Sequence, residues 1–593
     1  DSVIEIQGKI YLDSPNTDDL LESIRGAGLR VELEADQDLT FEDLYSEEEQ
    51  TFRVVYLRDS TQIFEGWINS DGFYEDMVNE KWRVTFDCVD GLSYLENRAF
   101  IETDGSRITG RLTQLDILVK ALARTGLEKN IYVSIDIFYT GLSTGVQVLD
   151  NVYMATNRFV RADDRTIMSC EEVIRSVLEP YGAVLKSYGD GWWIYKPNQI
   201  WATPALNFWE YDYEGTQGAG FGIAMNDEIG SHINNFYPHH VNENQMLGID
   251  RSLGAYRIHY KYGEPESLYE NEYLISDDGT TIDDWTIVST TNMTTPFPIG
   301  DGGVEIAFVS PSGIDQMEAD YITVTDDTQY TFELTFTVDP TSGSGDVVVQ
   351  VRMSDKVLPD GTATIYYLQD DMTWNTTPAN LLAFEDLNYT GEIVWSFTPD
   401  EKPARITGNG YLYLNIHTPV STVADGSVTF NRVRVYDSTA GNVTTGGEYH
   451  TFQRETKPSA KVDNVKEVTV GDNPFGLWGA LYKSDSTTPT STWTRKGYGE
   501  TKKLLQIMGE EHMRMSQSPA RTYSGDVYGF INYLNVFTID GIDGYFMVTQ
   551  YSYDTYANVT SLELEQIFGA ELTDLDYKET QDAGTVVKPT IKG

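Results

Sequence analysis

Phe64-Glu65-Gly66-Trp67-Ile68, then Lys81-Trp82-Arg83-Val84-Thr85-Phe86-Asp87-Cys88, then Asp90-Gly91-Leu92-Ser93-Tyr94-Leu95 is the stretch that decides the fold. Between Lys81 and Cys88 apolar and polar side chains alternate strictly. Trp82, Val84, Phe86 and Cys88 face one way, and Arg83, Thr85 and Asp87 the other. A period of two describes a strand with one buried face, and Cys88 on the apolar face predicts a buried thiol. Asp90-Gly91 breaks the strand, and Leu92 and Leu95 fit one turn of helix that Asp90 can cap.

Outward from this stretch, residues 3–12 read as a strand, and Val31-Glu32-Leu33-Glu34 is a second alternating run. Phe52, Val54 and Tyr56 mark a third, turned by Arg58-Asp59-Ser60 into Gln62-Ile63-Phe64. Together they predict a small antiparallel barrel or sandwich over residues 1–100. Residues 101–200 are an α/β segment. Leu112, Leu115, Leu118, Val119 and Leu122 recur at three and four, predicting a helix over 111–125. Ser169 and Glu172 form a capping box for a second helix that stops at Pro180 and Gly182. A hairpin follows, 183–188 turning at Gly189-Asp190-Gly191 into Trp192-Trp193-Ile194-Tyr195.

Residues 201–270 form an aromatic-rich connecting β region. From 271 to 440 the chain turns Thr-, Asp- and Gly-rich, with short, evenly spaced strands that predict a two-sheet jelly roll. Residues 441–578 return to the first style, with a helix over 500–515 and a closing hairpin at 545–567. The polar residues 579–593 read as a flexible tail. The fold class is therefore mainly β with minor α, a multidomain α+β chain of barrels, a helix-hairpin segment and an inserted jelly roll.

A strand ending Phe64-Glu65-Gly66-Trp67-Ile68, a second strand, then Asp90-Gly91-Leu92 and Leu95 resembles the N-terminal barrel of tail hub proteins of long-tailed bacteriophages, especially those of Bacteroidetes phages. The helix followed by Gly191-Trp192-Trp193-Ile194 resembles the α/β segment of those hubs. The run from Gly544 to Asp554, with Asn558 to Ile567, resembles their end. The resemblance thus covers 1–200 and 450–570, in two blocks. Between them, Trp285, the strand 330–336 and the closing strand 428–436 resemble carbohydrate-binding-module jelly rolls.

These resemblances imply a structural virion protein without catalytic residues: a homotrimeric baseplate or tail-tip hub that closes the tail tube. Its expected partners are copies of itself, distal tail and tail-tip or baseplate proteins, and the tape measure protein. Genome DNA would pass through without specific binding. A host surface glycan, or another tip protein, would meet the jelly roll. Assembly would take place in the host cytoplasm, and the protein would reside at the virion tail tip.

Composition sets bounds on these expectations. The 593 residues exceed one hydrophobic core. With 42 Lys and Arg against 92 Asp and Glu, net charge −50, the chain alone offers no phosphate-neutralising groove. The acids either keep a soluble protein from aggregating or line a lumen past which DNA slides. Two cysteines, Cys88 and Cys170, make no disulfide framework. No stretch reaches the length of an apolar membrane span, and Asp1-Ser2-Val3-Ile4-Glu5 does not read as a signal peptide.

Few constellations carry chemistry. Gly141-Leu142-Ser143-Thr144-Gly145 matches the nucleophile-elbow pattern but lacks the following helix such an elbow needs, so a loop is expected. His232, His239 and His240 cluster without a zinc-type motif; a polar loop is the expectation and a zinc site the alternative. Asp277-Asp278 and Asp283-Asp284 bracket the start of the jelly roll, where such modules often hold a structural calcium; solvated turn acids are the alternative. No other cofactor is expected. Trp374, in a loop after Tyr366 and Tyr367, is the candidate glycan platform, because rigid aromatic faces stack on the apolar C–H faces of sugars. Trp395 is expected in the core. A different class of reading is a secreted or surface glycan-binding protein whose jelly roll is the binding domain.

Overall fold

The computed structural model describes residues 8–568 and 578–583, apart from short interspersed gaps and the longer segments 35–43, 76–82, 160–166, 231–237, 288–296, 308–315, 385–390, 438–445, 454–464 and 471–480. The described chain is mostly strand with four helices among those residues, and none of its helices is long and apolar enough to cross a membrane.

The alternating run becomes the strand Arg83–Val89, with Val84, Phe86 and Cys88 buried. It pairs antiparallel with Gly28–Glu34, which pairs in turn with Gly8–Ser14. On its other side lies Thr61–Ile68, followed by Arg53–Arg58 at the end of the sheet. The first strand carries this sheet to the far end of the chain. Tyr11, Leu12, Asp13 and Ser14 pair with Asp554, Tyr553, Ser552 and Tyr551 of Ile542–Asp554. The path continues through Val559–Ile567 and Arg521–Tyr528, giving one 13-stranded sheet built from both ends of the sequence. One core serves it, with Leu12, Val31 and Phe86 from the first block and Val536, Phe546 and Leu564 from the last. The sequence reads as two barrel regions; each leaves a strand edge unsatisfied, and the two edges pair with each other.

The α/β segment forms a six-stranded sheet in which Ile24–Arg25 is the terminal strand. Its helices are Gln114–Ala123 and Cys170–Leu178. The second opens with the expected capping box: the Ser169 N–H donates to Glu172 Oε2 at 2.9 Å, and the Glu172 N–H to Ser169 Oγ at 3.3 Å. The Asp-Gly-Leu motif ties this segment to the barrel. Asp90 accepts from the Ala27 N–H at 2.6 Å and the Leu92 N–H at 3.1 Å, and Gly91 takes a left-handed φ of 85°. The turn that follows, Leu92–Asn97, is a 3₁₀ helix. Buried Lys129 faces this motif, donating to Ser187 Oγ at 3.0 Å over the Trp192 ring. Burial pushes Asp90 up despite Lys129, and pushes Lys129 down to about 8 against the pull of Asp90.

A second buried ionic group joins residues far apart in sequence. Lys196 Nζ lies 2.9 Å from Asp136 Oδ1 and 2.7 Å from Glu511 Oε2. Arg495 Nε lies 2.8 Å from Asp136 Oδ2 and 3.1 Å from Glu511 Oε1. Two cations and two carboxylates thus close a neutral square. Burial by itself would raise Asp136, but Lys196 and Arg495 outweigh it and hold that carboxyl below its usual range.

The jelly roll hangs from a paired stalk. The outgoing strand Ala255–Gly263 pairs antiparallel with the returning strand Gly446–Gln453, from Ala255 with Gln453 to Gly263 with Gly446. The helix Leu504–Ser516 packs on this stalk through Leu505, Met508 and Met513 against Tyr256, Ile258 and Phe452. Gly509 sits mid-helix because an added Cβ would lie 2.1 Å from the Phe452 ring. Lys578–Ala583 pairs with the returning strand, so this part of the polar end is a strand and not a flexible tail. Its ladder needs only backbone groups, which composition does not reveal.

Between the stalk strands lie two sheets. One runs Trp285–Ile287, Gln316–Ala319, Gly410–Ser421, Gly345–Ser354, Ile365–Leu368, Trp374–Asn375, with side branches; the other has four strands. Their inner faces enclose a core including Trp285, Phe332, Phe336, Val349, Leu414 and Phe430. This is the two-sheet sandwich that the strand spacing predicts.

Candidate functional site

The outer face of the larger jelly-roll sheet is a polar-aromatic surface. Its construction follows from alternation along Gly410–Ser421. Leu412, Leu414 and Ile416 enter the core, so Tyr411, Tyr413, Asn415 and His417 point outward. On the neighbouring strand, Val349, Val351 and Met353 point inward, and Gln350, Arg352 and Ser354 outward. Register sets Arg352 beside Tyr413 on one side and Tyr367 on the other.

A polar base lies among these rings. Arg352 Nη2 donates to Glu318 Oε2 at 2.6 Å and to Asn415 Oδ1 at 3.4 Å, and its guanidinium lies 5.7 Å from the Tyr413 ring. The Leu358 N–H donates to Tyr413 Oη at 2.7 Å, and the Tyr413 ring is itself buried, so the rings a ligand can reach are those of Tyr321 and of half-buried Tyr411 and Tyr367. Tyr321 forms the rim, 45% exposed, with its ring 5.3 Å from Tyr411 and 6.0 Å from Tyr413. At the base His417 is buried, and neither imidazole nitrogen has a hydrogen-bond partner among the described residues. Burial, then the Arg352 charge, pushes its pKa down, so it is neutral near pH 7 with one donor and one acceptor. A buried polar atom left unsatisfied costs about 1–3 kcal/mol; a hydroxyl-rich ligand or ordered water satisfies it. Rigid rings beside a carboxylate, a guanidinium and an amide suit a polyhydroxylated ligand.

The residues singled out in the sequence divide here. Tyr367 joins the outer face. Tyr366 points the other way, 6% exposed and part of the core, so its ring is not available for stacking. Trp374 lies in a two-residue strand paired with Leu368 and Tyr367 and packs, half-buried, against the core. Trp395 likewise packs against the core. Tyr321, Tyr411 and Tyr413 were not singled out, although the alternation from Tyr411 to His417 marks them. Asp277, Asp278, Asp283 and Asp284 lie outside the described residues, as does His232. Among the described residues no group of three or more His, Cys, Asp or Glu side chains is placed to hold a metal ion. His239 and His240 instead lie in a short strand against Tyr528 and Tyr523, with His240 Nδ1 2.9 Å from Tyr523 Oη. Residues 141–145 form turns with no helix after them, as expected for a loop.

The chain matches no protein-family model and no curated protein. Among solved structures it is similar to a tail protein from Neisseria meningitidis MC58, at 8% identity and TM-score 0.34, covering 94% of this chain and 92% of that one. It is also similar to the 43 kDa tail protein of prophage MuSo2 from Shewanella oneidensis, at 7% identity and TM-score 0.31, covering 94% of each. A third likeness is to TmCBM61 in complex with β-1,4-galactotriose, at 8% identity and TM-score 0.18, covering 29% of this chain and 99% of that one. At such low identities and scores, the architecture and the site rest on the chain's own sheets and side chains.

Proposed function

We propose that the protein is a structural virion component, the hub that closes a phage tail tube and joins it to the tail tip or baseplate, with the jelly roll as its outward binding domain. One observation carries this reading. The two sequence blocks that resemble hub proteins form a single sheet through the pairing of Tyr11 with Asp554 and its neighbours, while the jelly roll leaves and returns on a paired stalk. That is the arrangement expected of a hub carrying an insertion. In this role the protein forms a homotrimer, meets distal tail, tip and tape measure proteins, and has no catalytic function. Its −50 charge suits a passage that DNA crosses without sticking. The outer face around Tyr321, Tyr411 and Arg352 supports a glycan as the jelly roll's ligand, on the host surface.

Immunogold electron microscopy of particles from the source, with antibody against the recombinant chain, tests the reading. Gold at one end of the tail is the expected result. Unlabelled tails together with labelled cell-surface fractions would overturn it in favour of a surface glycan-binding protein.

A further inference from the structure

The cations on the outer face of the larger jelly-roll sheet are already matched by acids. Arg352 lies at its centre, with Nη2 committed to Glu318 Oε2 at 2.6 Å and to Asn415 Oδ1 at 3.4 Å. The loop that reaches Tyr413 through the Leu358 N–H brings a second cation, Lys356, whose Nζ lies 3.9 Å from Asp360 Oδ2. Further acids stand beside these pairs. Exposed Asp320 follows the strand that carries Glu318, and Asp355 on the same loop accepts from the Thr364 N–H at 2.7 Å.

Glu318 keeps unused accepting capacity. A carboxylate accepts through both oxygens. Arg352 holds Oε2, and Oε1 takes no hydrogen bond among the described residues. The Glu318 side chain is 28% exposed against 18% for Arg352, so the carboxylate is the more open member of the pair. Register places it near the rings. Glu318 is the direct partner of Asn415, and Tyr413, against which Tyr321 stands, is two residues along the same strand, about 7 Å away.

We propose that this face selects an uncharged glycan over an acidic one, and that Glu318 is the residue that makes the selection. Its carboxylate accepts from sugar hydroxyls in charge-assisted bonds, which are stronger than neutral ones, and meets the carboxylate of a uronate or sialate with like charge. Arg352 is a positioning residue. Held by Glu318 and Asn415, it fixes the carboxylate and offers an anion no uncompensated charge. The chain's −50 acts in the same direction at longer range. The inference rests on the glycan reading of the jelly roll and narrows it to one ligand class.

An array of matched pairs tests it with the full chain. Each pair sets a neutral gluco-, galacto- or manno-oligosaccharide beside its C6-oxidised uronate, and calorimetry follows on the pairs that bind. In low salt the neutral member is expected to bind at least about tenfold more tightly, with the ratio falling as added salt screens the repulsion. Glu318→Gln keeps the side chain's shape and leaves Arg352 uncompensated. It is expected to weaken the neutral member and to narrow or reverse the ratio. Tyr321→Ala, at an exposed ring, is expected to weaken both members alike and leave the ratio unchanged. Circular dichroism verifies that each variant folds, and the salt dependence of the native chain needs no variant. Uronates bound as tightly as their neutral partners, a ratio insensitive to salt, or a Glu318→Gln chain that loses both members equally would each overturn the inference and leave a glycan-binding jelly roll standing. An array on which no member of any pair binds would overturn both. None of these outcomes touches the gold labelling of tails, so the hub reading fails separately.

Discussion

Replacing Lys196 with Met separates a structural role for the buried ionic square from a merely decorative one. The Lys196 side chain is fully buried and bridges Asp136 and Glu511 at 2.9 and 2.7 Å. Methionine keeps most of the stem's volume but leaves two buried carboxylates facing Arg495 alone. Removing one partner from a buried ionic group costs about 3–5 kcal/mol, because the remaining charge is uncompensated. For a cooperative unit of ordinary domain size, roughly 2–4 °C of melting temperature accompanies each kcal/mol, so the expected fall is on the order of 10 °C. Scanning calorimetry is the assay, since a multidomain chain melts in separable steps. The square joins Asp136 and Lys196, before the jelly roll, to Arg495 and Glu511 after it. Only the transition of the base is therefore expected to move. Adding Glu511→Gln restores neutrality and is expected to recover about 1 kcal/mol or more. A fall smaller than about 2 °C, or no recovery in the double variant, would refute the reasoning. The acid side has a fixed sign. Asp136 titrates lower in the folded chain than in the unfolded one, so its contribution is complete above the unfolded pKa and is lost as pH falls through the folded one.

Three further outcomes are expected. Lys129, pushed down to about 8 by burial, binds fewer protons folded than unfolded between that value and its ordinary one, so stability should climb with pH across this window; urea titrations in which Lys129→Gln shows the same climb would refute the assignment. Burial pushes both thiols up, Cys170 to about 11, so a disulfide reagent at neutral pH should label them only at the unfolding rate, and fast labelling of the native chain would contradict it. On a glycan array followed by calorimetry, Tyr321→Ala should weaken binding by ~0.5–1.5 kcal/mol, the worth of an aromatic contact. Trp374→Ala should leave binding unchanged and lower only the stability of the jelly roll, and the reverse pattern would move the site away from the outer face.

What the sequence discloses here is what is local. The helix Cys170–Leu178 is legible because Ser169 and Glu172 mark its start and Val173, Ile174, Val177 and Leu178 repeat at helical spacing. The strand around Phe86 is legible because its face is buried on one side only. The pairing of Leu12 with Tyr553 is not, since either strand would satisfy its backbone equally well beside many others. The ionic square is hidden for a related reason: Lys196, Asp136, Arg495 and Glu511 each read as ordinary surface charges until the fold removes them from water. Tyr411 and Tyr413 are an intermediate case. Alternation assigns them to the outer face, but only the register across to Arg352 gathers them into a site.

These differences in legibility match two kinds of join. The base is closed by long-range contacts, the ladder from Tyr11 to Ser14 and the ionic square, which bind segments lying on either side of the jelly roll. Among the described residues the jelly roll is joined to the base through neighbouring strand ends, with Gly263 opposite Gly446. When the ends of an insertion are already adjacent, the entropy of closing the longer loop grows only logarithmically with length, and a domain with its own core adds its own stability. A sequence change within the jelly roll therefore leaves the base nearly untouched, whereas a change at Lys196 or in the Tyr11–Ser14 ladder acts on both blocks at once. The binding face can vary freely on a base whose two halves must remain matched, and the two requirements meet at the stalk, packed on Leu505 and Met508.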